Sequence, residues 1–216
     1  MSGHIFDTGT IRNFLLTESE ALLPQILEEK LFFSTIINHE LTKGSNGFLD
    51  AHAQEIKESN TSRLKQYQAW QEFEKRLKKA NFQVLGVSQA KQHETMLRFF
   101  ECLITQEDMD QGEAECFALS AFKGLAFYTD DNQARRIIET YNQDPSSLQC
   151  PPYGADRPPH HPIVYHSTTW LLLDGISKAI LTNAKAEEIF FAMRSVWGRH
   201  PQKTLTELKN DSRLYW

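Results

Sequence analysis

Cysteine is scarce: the 216 residues hold three, Cys102, Cys116 and Cys150, an odd number at wide spacings with no CxxC pair. That argues against a disulfide framework and against a thiolate zinc site, so all three are expected to be reduced, with Cys102 and Cys116 in the core. Long apolar runs are missing too. No stretch approaches the roughly 18 uninterrupted apolar residues of a membrane span, and Met1 to Thr10 lacks the basic-then-apolar form of a signal peptide. A cytoplasmic protein without membrane attachment is expected. Positive charge is in deficit, with 23 Lys plus Arg against 28 Asp plus Glu and a formal net charge of −5. A uniformly basic nucleic-acid coat is therefore excluded, while local basic patches are not. The GxSxG elbow of a serine hydrolase, the P-loop and the GxGxxG dinucleotide fingerprint are all absent.

What is present is the composition of a soluble globular protein, 40% apolar, 24% charged and 11% aromatic, long enough for one large domain spanning 1–216. His4-Ile5-Phe6 reads as a short strand delivering Asp7 to its end, followed by Ile11, Phe14 and Leu15 at helical spacing. Residues Glu18 to Glu29 look helical, with Pro24 at a kink or near a helix start. Leu31 to Ile37, aromatic and β-branched, reads as a buried strand with Glu40 just beyond it. From about Asp50 to Ala80, Leu64, Tyr67, Trp70, Phe73 and Leu77 recur at helical spacing, which predicts a long amphipathic helix. Phe82 to Val87 is β-like, Met96 to Ile104 helical, and Glu113 to Gly124 a helix ended by glycine. Leu125 to Thr129 is a strand ending in Asp130-Asp131, Ala134 to Tyr141 a helix, and Asp144 to Pro162 a Pro-rich loop. Ile163 to Tyr165 reads as a last strand, and two helices follow, Trp170 to Leu181 and Ala186 to Trp197. Strands alternating with helices imply an α/β fold: three α/β/α layers around a central, mostly parallel sheet, with a helical insertion at about 50–80.

Acids follow the strands. Asp7 follows the first, Glu40 the second, Asp130 and Asp131 a later one, and Glu113 opens the helix leading into that strand. Strand C-termini share one edge of a parallel sheet, so these carboxylates are candidates for one site. A single acid after a strand is ordinarily a helix N-cap or a solvated loop residue; three after separate strands favour a shared role. Clustered, partly desolvated carboxylates either hold protons or bind cations, and hard oxygen donors select Mg²⁺ or Mn²⁺, ions suited to phosphoryl chemistry.

Phe6-Asp7-Thr8-Gly9, Ile36-Ile37-Asn38-His39-Glu40-Leu41, Gly112-Glu113-Ala114-Glu115 and Thr129-Asp130-Asp131 resemble, in order, the four acidic motifs of PIN-domain ribonucleases, and the third and fourth are similar to the branch containing VapC-type toxins. His166 to Leu173 also looks like that branch's last strand and following helix. The resemblance implies a PIN-like fold acting as a metal-dependent endoribonuclease. Asp7, Glu40, Glu113 and Asp131, with Asp130 as neighbour or alternate, would be its catalytic acids and ligands to Mg²⁺ or Mn²⁺. It further implies an RNA substrate, a place in a toxin–antitoxin or defence system, an antitoxin or other inhibitor protein covering the acidic groove, and a homodimer. Two alternatives stay open: a catalytically inactive PIN-fold binding or assembly protein, and a metal-dependent DNA nuclease.

Arg135 and Arg136, just after the acidic pair, are candidates for contact with substrate phosphate, although such arginines often only pair with carboxylates. Thr8 and Thr129 are candidates to orient carboxylates, and Ser167 or Thr168 to lie near the cup. Lys57, Arg63, Lys65, Lys75, Arg76, Lys78 and Lys79, interleaved with Tyr67, Trp70 and Phe73, suit either a phosphate backbone or a solvated helix with its aromatics in the core. His160, His161 and His166 lack zinc-ligand spacing.

Overall fold

The computed structural model describes residues 3–41, 73–89, 93–148, 161–197 and 205. Five strands, β1 (His4–Phe6), β2 (Leu31–Ser34), β3 (Gln83–Leu85), β4 (Ala126–Tyr128) and β5 (Tyr165–His166), form one sheet in the order β3-β2-β1-β4-β5. Every pairing is parallel. The described helices are α1 (Thr8–Leu16), α2 (Leu23–Leu27), α3 (over 35–41), α4 (Phe73–Lys79), α5 (His93–Gln106), α6 (Gln111–Lys123), α7 (Asn132–Gln143), α8 (Thr168–Ser177) and α9 (Asn183–Trp197). A five-strand, all-parallel central sheet flanked by helices makes the chain an α/β protein, consistent with the three-layer α/β/α class. Among the described residues no helix is long and apolar enough to cross a membrane.

The chain groups into two compact units, one comprising Met1–Thr8, Glu29–Glu40 and Phe82–His166, the other Gly9–Glu28, Leu41–Asn81 and Ser167–Trp216. The first holds the sheet. Its inner strands are the apolar runs of the sequence: Ile5, Phe6, Leu31, Phe32, Phe33, Phe127 and Tyr128 are all buried, as strands covered on both faces require. Phe6 pairs with Phe33 on one side and Tyr128 on the other, so β1, β2 and β4 reach the same edge in register. Helix α6 packs on β1, β2 and β4 and against α5. It starts where the Asp110 side chain accepts the Gly112 N–H at 3.0 Å. It stops at Gly124, whose left-handed φ of 66° lets its N–H reach Ser120 O. Between these ends nearly every residue is buried, and Phe99, Phe117 and Tyr141 pack as a ring cluster joining α5, α6 and α7.

The second unit is held in part by lysine side chains on helix ends. Lys185 Nζ donates to Thr17 O at 2.8 Å and Lys178 Nζ to Ile26 O at 2.6 Å, meeting carbonyls that α1 and α2 leave without helical partners. Arg76 of α4 forks onto Glu20, with Nε 2.6 Å from Oε1 and Nη2 on Oε2, and Nη2 also donates to Leu15 O at 3.0 Å.

Four expectations change. Strand β2 ends at Ser34, and 35–41 is helical, so Glu40 rides on α3 rather than following a strand directly. The segment read as one helix over Glu18 to Glu29 is a 3-10 turn, Glu20–Leu22, running into the short α2, with Pro24 in its first turn; Glu18 and Glu28, both left-handed, bound it. Cys102 is disulfide-bonded and Cys116 is a buried free thiol, which overturns the expectation that all three cysteines are reduced. Spacing along a chain does not report the Cα separation that decides whether two thiols meet. Arg76, grouped with a phosphate-binding face, is committed to Glu20. The helix expected over about 50–80 lies mostly outside the described residues, its described end being α4. Residues 149–160 of the Pro-rich loop lie outside them as well.

Arg76→Ala leaves the Glu20 carboxylate buried without its cation and is expected to lower the urea unfolding free energy by about 3 kcal/mol, whereas exposed Lys75→Ala on the same helix should change it by less than about 0.5 kcal/mol.

Candidate carboxylate site

In this strand order β1 and β4 are the pair at which the chain reverses direction across the sheet, the place where parallel sheets bind ligands at their C-terminal edge. Asp7 follows β1 directly, and its backbone N–H donates to Tyr128 O at 3.0 Å, extending the β1–β4 ladder by one bond. The Asp7 residue is buried, 5% exposed. Across the ladder Thr129, fully buried, uses its hydroxyl to accept the Asp131 N–H at 3.0 Å. Asp131 caps α7, its Oδ1 accepting from Gln133 N at 2.6 Å and Ala134 N at 2.9 Å.

The other two acids arrive on helices. Helix α6 presents Glu113 in its first turn. Helix α3 presents Glu40, which accepts the Thr8 hydroxyl through Oε2. The two helices lie very close here because residue 112 has no side chain: a Cβ on Gly112 would sit 2.6 Å from Ile37 Cδ1 and 2.9 and 3.2 Å from the two Glu40 carboxylate oxygens.

These placements put several negative charges around one carboxyl. Burial, followed by the charges of Asp131, Asp7, Asp110 and Glu40, pushes Glu113 from 4.5 up to about 8. Among the four predicted acids, then, Asp7, Glu40 and Asp131 all act on Glu113. Asp130 instead stands beside Arg135, at 4.0 Å from Nη2, and the Arg135 Nε donates to Thr129 O at 3.3 Å. Arg135 is thus tied to its own strand end, whereas Arg136 is exposed. Thr8 orients a carboxylate as expected; Thr129 orients the Asp131 backbone instead. Thr168 is buried in the second unit, accepting Asn13 Nδ2 at 3.3 Å, and Ser167 caps α8 by accepting the Trp170 N–H.

Three residues of the site were not singled out from the sequence. Asp110 stands three residues before Glu113, the Asp-x-x-Glu spacing of a capping box, a signal that was there to find. Gly112 and Glu115 lie inside the GEAE motif, but only the fold reveals what faces them. Below the site the Cys116 thiol donates to Phe6 O at 3.6 Å, and burial together with the Asp7 charge pushes its pKa well up.

As donors for a cation the set is all carboxylate oxygen, suited to a hard divalent ion, and the raised pKa of Glu113 reports the negative charge of its neighbours. The side chains are near one another without being gathered: among the described residues no three His, Cys, Asp or Glu are arranged to hold a metal ion. Comparison of the chain with protein-family models, curated proteins and solved structures yields no match.

Two outcomes follow. Between pH 4.5 and about 8 the unfolded chain has lost the Glu113 proton while the folded one keeps it, so this group's contribution to stability is full below pH 4.5 and is lost as pH rises through about 8. Carboxyl-carbon NMR should show Glu113 titrating near pH 8, and Glu113→Gln should remove that part of the pH dependence measured by urea unfolding. Gly112→Ala is expected to move the Glu40 carboxyl resonance while the thermal midpoint shifts by less than about 4 °C, since the gain in helix propensity offsets part of the crowding.

Proposed function

We propose that the protein is a nuclease that hydrolyses RNA phosphodiester bonds with Mg²⁺ or Mn²⁺ as its cofactor. The observation that carries this reading is that Asp7, Glu40 and Asp131, from separate chain segments at the switch point of a parallel sheet, stand near enough to Glu113 for their charges to raise its pKa. The ordered resemblance of the same four motifs to PIN-domain ribonucleases supports it.

Asp7, Glu40, Glu113 and Asp131 would hold the metal, which when bound polarises a phosphate and makes water a stronger nucleophile at neutral pH. The chain's own contributions are positional and protonic. Thr8 fixes the Glu40 carboxylate, the ladder bond to Tyr128 O fixes the backbone of Asp7, and Thr129 fixes that of Asp131. Glu113 holds a proton below about pH 8, and a cation held there would compete with that proton. Exposed Arg136, one turn into α7, is available to substrate phosphate. An antitoxin or inhibitor protein over the acidic groove, and a homodimer, belong to the same reading.

A second reading, a binding module that does no chemistry, is favoured by the bonds Asp131 already spends on capping α7 and by the Asp130–Arg135 contact. One experiment separates the two, and RNA from DNA cleavage as well: matched single-stranded RNA and DNA pools incubated with Mn²⁺, Mg²⁺ or EDTA, comparing wild type with Asp7→Asn. Metal-dependent RNA cleavage at least about 100-fold weaker in the variant is expected. Equal inertness of both proteins with every metal, and no Mn²⁺ binding by calorimetry, would leave the binding module; cleavage of DNA alone would change the substrate.

A further inference from the structure

Glu115 is the second glutamate of the GEAE motif and has no place in the carboxylate cluster around Glu113. It is 5% exposed, on the face of α6 turned into the protein. Its two oxygens take backbone N–H groups from two different chain segments: Oε2 accepts from Ile36 N at 2.7 Å and Oε1 from Val87 N at 3.2 Å. Both donors open a helical turn just past a strand, Ile36 at the start of α3 after β2 and Val87 at the start of the 3-10 turn after β3.

Helix α3 needs such a partner. Its own strand end supplies Ser34, whose hydroxyl accepts the Ile37 N–H at 3.1 Å as an N-cap does. In a capping box a Glu or Gln three residues after the cap would complete the start; here that position is Ile37, which is buried. The Ile36 N–H, pointing into the interior, would go unpaired, and Glu115 meets it from another helix. Glu40 sits four residues further along α3, on the stretch whose first turn is held in this way. Glu113 is two residues before Glu115 on α6, so a single helix both carries one acid of the cluster and anchors the helix that carries another.

We propose that Glu115 is a positioning residue for the carboxylate site: by holding the N-terminus of α3 against α6 it sets where the Glu40 carboxylate stands relative to Glu113. The inference rests on the metal-dependent reading above and assigns a role to a residue outside the four proposed metal-holding acids. Glu115→Gln is close to isosteric, but its amide turns an N–H toward one of the two backbone N–H groups, so one of the paired bonds is lost.

The test is Mn²⁺ binding by calorimetry and the Mn²⁺ dependence of RNA cleavage, with thermal unfolding alongside. Ile26→Val, in the core of the second unit, serves as a control for loss of stability alone. For Glu115→Gln the Mn²⁺ dissociation constant is expected to rise about tenfold, as when a residue that orients metal ligands is changed. The Mn²⁺ needed for half-maximal cleavage should rise with it, with kcat largely restored at saturating Mn²⁺ and KM for RNA unmoved. Ile26→Val should leave all of these unchanged. Should Glu115→Gln not fold, Glu115→Asp, which keeps the acid but shortens its reach, is expected to show the same loss of Mn²⁺ affinity. A variant that folds and binds Mn²⁺ as tightly as wild type overturns the inference and leaves the nuclease reading standing. A wild-type protein that binds no Mn²⁺ overturns both.

Discussion

The backbone bond from Asp7 N to Tyr128 O carries the β1–β4 ladder one residue beyond β1, and the acidic end of the sheet is arranged from it. Because the ladder is parallel and Phe6 faces Tyr128, the residues that follow leave the sheet side by side at its C-terminal edge. Asp7 departs on one side of the ladder and Thr129 to Asp131 on the other. Both lead into helices, α1 and α7, whose first turns present N–H groups that favour negative charge nearby. A ladder slipped by one residue would turn each of these side chains to the opposite face of the sheet. The placement of the acids is therefore a consequence of register, and register is held by the buried aromatic run Phe6, Phe33, Phe127 and Tyr128.

Bringing carboxylates together in partly buried surroundings costs free energy, and Glu113 shows where that cost falls. Its pKa is displaced to about 8, under the combined effect of burial and of four neighbouring acids. A fold indifferent to the cluster would relax by turning one side chain into solvent. Instead Glu40 is bound by Thr8 and lies against Gly112, while Asp131 is bound to the first turn of α7. Like charges are retained because backbone and hydroxyl contacts hold them, which is the arrangement a cation or a proton can exploit.

The inner strands were legible as short apolar runs, and so was the place of Asp7 and Asp131 after strand ends, because strand position and parallel order follow from local pattern and crossover rules, whereas the last strand, expected at Ile163 to Tyr165, is Tyr165–His166. What was not legible came from tertiary contacts. Thr35, Ile36 and Ile37 are β-branched and continue the Leu31 to Ser34 run, so local propensity extends the strand; in the fold Ser34 and Glu115 cap those residues into a helix. Propensity is worth a few tenths of a kcal/mol per residue and loses to two buried hydrogen bonds of about 1 kcal/mol each. The Arg76–Glu20 pair joins residues distant in sequence, and nothing periodic announces it.

The GEAE motif shows how closely these levels are joined. Gly112 carries no side chain, and α3 approaches through the space this leaves; Glu113 faces the acidic cluster; Ala114 is fully buried; Glu115 holds the N-termini of two neighbouring segments. Four consecutive residues of one helical turn therefore address four different surroundings, since each step of about 100° turns the next side chain elsewhere. Substitution at any one of them acts on the others through the shared helix axis. Exchanging Glu113 with Glu115 in function is excluded by direction alone: the former looks toward Asp7 and Asp131, the latter toward backbone donors in the interior. Two identical residues two positions apart thus serve opposite ends, one whose ionisation is opposed by the carboxylates around it and one whose acceptor oxygens hold the frame in which those carboxylates stay together.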